Sequence, residues 1–135
     1  MSTEPRPSIG IVSLGCAKNL VDTQVMVGVL LTEGFAAAPR PERADVLLVN
    51  TCAFIGPARR EAAAAIREAC ALKRAGHCRA VIVAGCLPQR YGRRLRRRFP
   101  AVDAWLGVDH LEDVAVVARR ALGPRPARRA PAGAR

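Results

Sequence analysis

Cys16, Cys52 and Cys86 occupy equivalent settings: each closes a short apolar run, after a glycine or a small polar residue, in IVSLGC, VLLVNTC and AVIVAGC. A thiol binds metal as the thiolate, so three of them gathered in one place point to a metal or metal–sulfur centre. A single zinc ion draws its thiolates close, with bonds of about 2.3 Å. A cubane iron–sulfur cluster spreads its ligands more widely and is usually held by four cysteines. Held by three, it keeps one iron with an exchangeable position, open to an exogenous sulfur species or another ligand. Against both stands the plainer reading of a free cysteine as a small buried hydrophobe, which three equivalent positions weaken.

These residues can meet only if the elements that carry them converge. Each apolar run is short, continuous and β-branched, as in a strand buried on both faces. Helical patterns separate the runs, so the strands are expected to lie parallel in one sheet. All carboxyl ends then share one edge, where open α/β sheets bind their ligands. Strands are expected over Ile9–Leu14, Phe35–Ala38, Val46–Val49, Ala80–Ala84 and Ala104–Leu106. Helices are expected over Leu20–Glu33, from Pro57 to about Arg74, from Pro88 to just before Pro100, and over about Leu111–Leu122. Asn19 reads as the N-cap of the first helix, with Asp22 completing a capping box, and Gly34 as its stop.

Right-handed crossovers make this a three-layer α/β fold: a parallel sheet of about five strands with helices on both faces, in the flavodoxin-like order 2-1-3-4-5. The three cysteine-bearing strands are then neighbours, the outer two about 10 Å apart, which leans towards a cluster over a single zinc. Helices beginning at the same edge favour negative charge there. Gly15 and Gly85 leave room for close approach, and Asn50 and Thr51 read as donors to sulfur from just outside the ligand set. Cys70 falls inside the second helix and Cys78 at the opposite, amino edge, so both read as non-ligands. His77 and His110 are isolated and read as surface or loop residues. Neither a G-x-x-x-x-G-K-[ST] loop nor a G-x-G-x-x-G fingerprint occurs, which leaves the usual nucleotide-binding modes without support.

The chain has 135 residues, half of them hydrophobic, enough for one domain with a modest core. It has no apolar stretch long enough for a membrane helix, and MSTEPRPS lacks the apolar region of a signal peptide. Five widely spaced cysteines argue against a disulfide framework. A cytoplasmic protein, without membrane contact, is expected. The net charge of +11 is uneven: residues 1–89 carry 10 basic and 7 acidic side chains, residues 90–135 carry 12 and 4. Arg90, Arg93, Arg94, Arg96, Arg97 and Arg98 read either as an RNA or ribosome contact or as a solvated arginine-rich face. Residues 1–8 are expected to be a flexible lead-in, 9–122 the ordered domain, and 123–135 (GPRPARRAPAGAR) a disordered tail or linker.

Three blocks, SLGCAKNLVDTQ at 13–24, ADVLLVNTCAFI at 44–55 and VIVAGCLPQRY at 81–91, resemble the N-terminal domain of the methylthiotransferases. These are radical-SAM enzymes that insert sulfur and a methyl group at an unactivated C–H bond. The first block looks like the branch that modifies an aspartate of ribosomal protein S-twelve of the small subunit (the RimO type) rather than the branch that modifies a tRNA adenosine derivative (the MiaB type). The resemblance implies that Cys16, Cys52 and Cys86 ligate an auxiliary 4Fe-4S cluster that holds or supplies the sulfur. It gives supporting roles to Asn19, Asp22, Asn50 and Thr51. The family commonly has V-D-S-E where this chain has Val21-Asp22-Thr23-Gln24. The C-x-x-x-C-x-x-C of the family's second domain, which binds the cluster that cleaves S-adenosylmethionine, does not occur among these residues. The expectation is therefore a fragment without the radical-SAM and C-terminal substrate-binding domains, able to bind a cluster but catalytically incomplete by itself. The N-terminal domain of a tRNA methylthiotransferase, a metal-free basic α/β module that docks on RNA or ribosome, and a structural zinc site are the alternatives.

Overall fold

Two strands are buried at every position, which only the middle of a sheet covered on both faces allows. They are Val46–Thr51 (β3) and Ala80–Gly85 (β4), with six buried residues each. The structure, a computed structural model, describes residues 6–14, 17–51, 56–76, 78–85 and 93–123. Flanking these strands are Ser8–Ser13 (β1), Ala36–Ala37 (β2) and Ala104–Gly107 (β5). The helices are Ala17–Thr32 (α1), Gly56–Arg74 (α2), residues 93–98 (α3) and Val114–Leu122 (α4). The sheet is parallel throughout, in the order β2-β1-β3-β4-β5, the three-layer arrangement expected from the sequence.

Side chains alternate across a strand, so β3 feeds two cores. Leu47 and Val49 join Val81, Val83, Ala62, Ile66 and Leu95 beneath α2 and α3. Val46 and Leu48 join Ile82, Met26, Leu30, Val114 and Ala118 beneath α1 and α4. Helix α1 packs through Met26 and Leu30, while α2 and α4 approach partly through alanines, Ala62 and Ala69 on one and Ala115 and Ala118 on the other.

Strand ends and the start of α2 differ from expectation by one or two residues, and two helix starts differ in kind. Helix α1 begins at Ala17, so Asn19 is its third residue, not its cap, and the capping box with Asp22 falls. Ala17 and Lys18 cost little in a helix, and nothing in the pattern forced the turn to wait for Asn19. At the other end α1 stops at Thr32, and Gly34 reverses the chain at φ 100°, where a side chain would strain the backbone. The second difference precedes α4. Residues Val108–Asp113 form a 3-10 segment, broken at His110 (φ −128°, ψ 26°), and the α-helix starts at Val114. Pro57 takes the second position of α2, where its missing N–H costs nothing. Among the described residues no helix is long and apolar enough to cross a membrane. The lead-in at 1–5, the helix opening at Pro88 and the tail 124–135 lie outside the described residues.

Candidate functional site

The carboxyl rim of the sheet is built from the ends of β1, β3 and β4, and these ends are locked to one another. Ser13 is in register with Asn50, and Thr51 with Gly85. Beyond the last pair of β1, Leu14 N donates to Asn50 O at 2.9 Å. Thr51 and Gly85 thus end β3 and β4 beside Leu14, the residue just past β1. In the sequence Cys52 follows Thr51, Cys86 follows Gly85, and Cys16 stands two residues after Leu14. Gly15, Cys16, Cys52 and Cys86 lie outside the described residues, as do Arg90 and His77.

Two buried side chains at the rim tie layers together. Asn50, fully buried, donates through Nδ2 to Thr23 Oγ1 at 2.9 Å. Thr23 Oγ1 in turn donates to Ser13 Oγ at 3.0 Å. One chain of bonds therefore joins β3, α1 and β1 just below the rim. Thr51, also fully buried, donates its hydroxyl proton to Ala84 O at 2.8 Å, clasping β3 to β4. Buried hydrogen bonds of this kind contribute modestly when made and cost more when one partner is deleted. Asp22, half-buried, and Gln24, exposed, lie on α1 beside Thr23.

Gly85 is fixed by backbone geometry. Its φ is 108°, and a Cβ there would come within 2.5 Å of Thr51 O and 2.7 Å of Asn50 Oδ1. Any side chain is excluded both by conformation and by contact, so the end of β4 can turn directly against the end of β3.

Thr23 and Ser13 were missed from sequence as contributors to the site. A signal existed: Thr23 stands where the resembling family commonly has serine, and a hydroxyl is what the two residues share.

The remaining cysteines are placed as expected. Cys70, on α2, and Cys78, just before β4, are buried free thiols in the core under α2 and α3. Cys78 is at the amino rim, where its Sγ donates to Ala80 O at 3.0 Å. Burial pushes both thiols above their ordinary value of 9.0, against the opposing pull of Arg74 and Lys73 on Cys70 and of backbone bonds on Cys78. Neutral thiols are poor metal ligands. His110 is exposed, with Nδ1 3.8 Å from Asp113 Oδ2. Among the described residues no cluster of three or more His, Cys, Asp or Glu side chains is placed to hold a metal ion.

The amino rim is polar and charged. Asp45 Oδ2 accepts from Ser8 N at 2.9 Å, and Asp45 O from Arg79 N at 2.8 Å. Lys73 Nζ pairs with both oxygens of Asp103, at 2.8 and 2.9 Å, and bonds Ala101 O; Asp103 Oδ2 also accepts from Val81 N at 2.8 Å. Arg119 bonds both the side chain and the backbone carbonyl of Glu33.

The family described as "Uncharacterized protein family UPF0004" matches residues 8–107. Proteins named ribosomal protein uS12 methylthiotransferase RimO are similar over most of the chain. The one from Syntrophus aciditrophicus is 50% identical over 108 residues, 80% of this chain and 24% of the relative. The one from Heliobacterium modesticaldum is 54% identical over 99 residues, 73% of this chain and 22% of the relative. The one from Myxococcus xanthus is 40% identical over 125 residues, 93% of this chain and 26% of the relative. The chain thus spans about a quarter of the length of the curated relatives it matches.

Proposed function

Because the chain belongs to uncharacterized protein family UPF0004, the N-terminal domain of the methylthiotransferases, we propose that it holds an auxiliary 4Fe-4S cluster on Cys16, Cys52 and Cys86. The observation that carries this reading is the side-by-side ending of β1, β3 and β4, each just before one of the three cysteines. The donor set fits the group: a thiol follows each of the three strand ends in the sequence, and the two remaining cysteines are buried elsewhere.

Held by Cys16, Cys52 and Cys86, such a cluster would supply an iron able to take a sulfur species. The chain's own residues do the rest. Gly85 lets β4 end against β3 without a side chain between them. The Ser13–Thr23–Asn50 bonds and the Thr51–Ala84 clasp fix the strand ends from which the cysteines follow. Helix α1 begins at Ala17, the residue after Cys16. Its first backbone N–H groups favour thiolate over thiol by about 0.3–1 kcal/mol.

The relatives' name gives ribosomal protein uS12 as their target. We carry that target to this chain, with the aspartate as acceptor, S-adenosylmethionine as co-substrate and the cytoplasm as the setting. The share of the reaction assigned to these residues is the holding of the auxiliary cluster.

Anaerobic reconstitution with iron and sulfide tests the assignment. About four irons per chain, with visible absorption, are expected, and both should disappear in the Cys16→Ala/Cys52→Ala/Cys86→Ala variant. One zinc taken up in preference to iron, or no metal at all, would refute it.

A further inference from the structure

A cleft of about 580 Å³ wraps the free edge of β5, a volume in the range of small-ligand sites. It is set apart from the cysteine-bearing strand ends. Its walls come from the C-terminal end of α3 with the turn after it, and from the second half of α4. Both helices run back from the carboxyl rim, so the cleft opens towards the amino rim.

The floor is apolar and includes Trp105, half-buried, with the buried Phe99 and Val102 beside it. Val117 closes the other side. Arg96 and Arg120, both exposed, reach the cleft from α3 and α4 respectively. The surroundings are strongly cationic: residues 93–98 contain Arg93, Arg94, Arg96, Arg97 and Arg98 and no acid. Among the described lining residues the one carboxylate, Asp103, is paired with Lys73 at 2.8 Å. A half-buried tryptophan and two exposed arginines lining one cleft fit a flat ring carrying negative charge on either side.

We propose that this cleft binds single-stranded RNA, with one base against Trp105 and the neighbouring phosphates on Arg96 and Arg120. Base stacking on an aromatic ring with arginines along the backbone is how sequence-tolerant single-strand binders work. The cationic face rules against a basic peptide. The choice of RNA over DNA rests on the proposed ribosomal setting, while the pocket itself stands independently of the cluster.

Trp105 is the chain's single tryptophan, so its intrinsic fluorescence reports this cleft alone. The full chain, titrated with hexa-adenylate at low salt, is expected to show saturable quenching. The RNA hexamer should bind at least as tightly as hexa-deoxyadenylate. Removing both cations in Arg96→Ala/Arg120→Ala, two exposed positions that the fold does not need, should weaken binding at least about tenfold. It should also flatten the log–log salt dependence by about 1.4, the value for two single-strand phosphate contacts. Inorganic polyphosphate should compete without quenching.

Absence of saturable quenching by hexa-adenylate would overturn the proposal. So would quenching unchanged in the double variant, a clear preference for the DNA strand, or equal quenching by hexa-aspartate. Iron content is read separately, so a chain that takes up no cluster but quenches normally leaves this inference standing, and the converse leaves the cluster standing.

Discussion

The two rims of the one sheet are built by opposite means. At the carboxyl rim the strand ends are held by neutral, buried groups: Asn50, Thr51 and Thr23 bond among themselves and to backbone, and Gly85 contributes only the absence of a side chain. At the amino rim the ends are held by charges: Asp45 gathers β1, β3 and the start of β4, and Asp103 with Lys73 pins the entry to β5. The cysteines divide the same way. Three follow the carboxyl ends, while Cys78 at the amino rim is buried and kept neutral. Under the proposed function this neutral anchoring suits the carboxyl rim, because acidic neighbours would oppose the ionisation of thiols there. A rim without thiolates to hold can be stapled by ion pairs open to water.

The sharpest break of the carboxyl rim is Gly85→Ala. The new Cβ would sit 2.5 Å from Thr51 O, on a backbone with φ of 108°. Strain and overpacking each cost about 1–3 kcal/mol, so a loss of about 3 kcal/mol or more in urea unfolding is expected, with iron uptake abolished. A stability change under 1 kcal/mol would mean that the strand end relaxes freely and that the rim is not fixed as described.

A smaller effect should follow from Thr23→Val, which keeps shape and removes the hydroxyl that links Asn50 to Ser13. A buried donor that loses its acceptor costs about 1–3 kcal/mol. The reconstituted protein should also release iron faster to a chelator. Thr23→Ser should restore most of both properties, because it returns the hydroxyl. Equal behaviour of the valine and serine variants would assign the residue to packing alone.

Much of this frame was legible in the chain. The runs that became β3 and β4 are apolar at nearly every position, and a parallel buried strand is almost the only element that such a run can form at six residues. The layering followed from crossover handedness and from where helices interrupt the runs, whereas the strand order came from analogy with flavodoxin-like folds, because handedness alone does not set it. The start of α1 was not legible, because Asn19 is a good cap in isolation while Ala17 and Lys18 are equally content inside a helix. The 3-10 entry to α4 was hidden because VDHLED carries the spacing of a helix without its backbone. At the site, Asn50, Thr51 and Gly85 stood out by adjacency to cysteine. Thr23 and Ser13 did not, because a hydroxyl's partner lies across the fold and leaves no spacing rule. The cleft at β5 was equally invisible: it joins α3, β5 and α4, and only Arg96 among its key residues was singled out in advance.

The mildest test compares the two sets of cysteines directly. In Cys70→Ala/Cys78→Ala the iron content of the reconstituted chain should be unchanged, in contrast to the triple variant at the carboxyl rim. Stability at pH 7 should fall by about 1–2 kcal/mol for the buried volume lost. The sign of its pH dependence follows from burial. Both thiols are held above 9.0 in the fold, so the folded state keeps its protons where the unfolded chain begins to lose them. Their contribution is complete below the unfolded thiol value and fades as pH rises through the folded one. The stability gap between wild type and the double variant, from urea unfolding under reducing conditions, should therefore narrow as pH rises past 9.0, the ordinary thiol value. A gap that widens over that range would mean the thiols ionise more readily in the fold than in water. Such thiolates would be available as ligands, and the division of labour between the rims would fail.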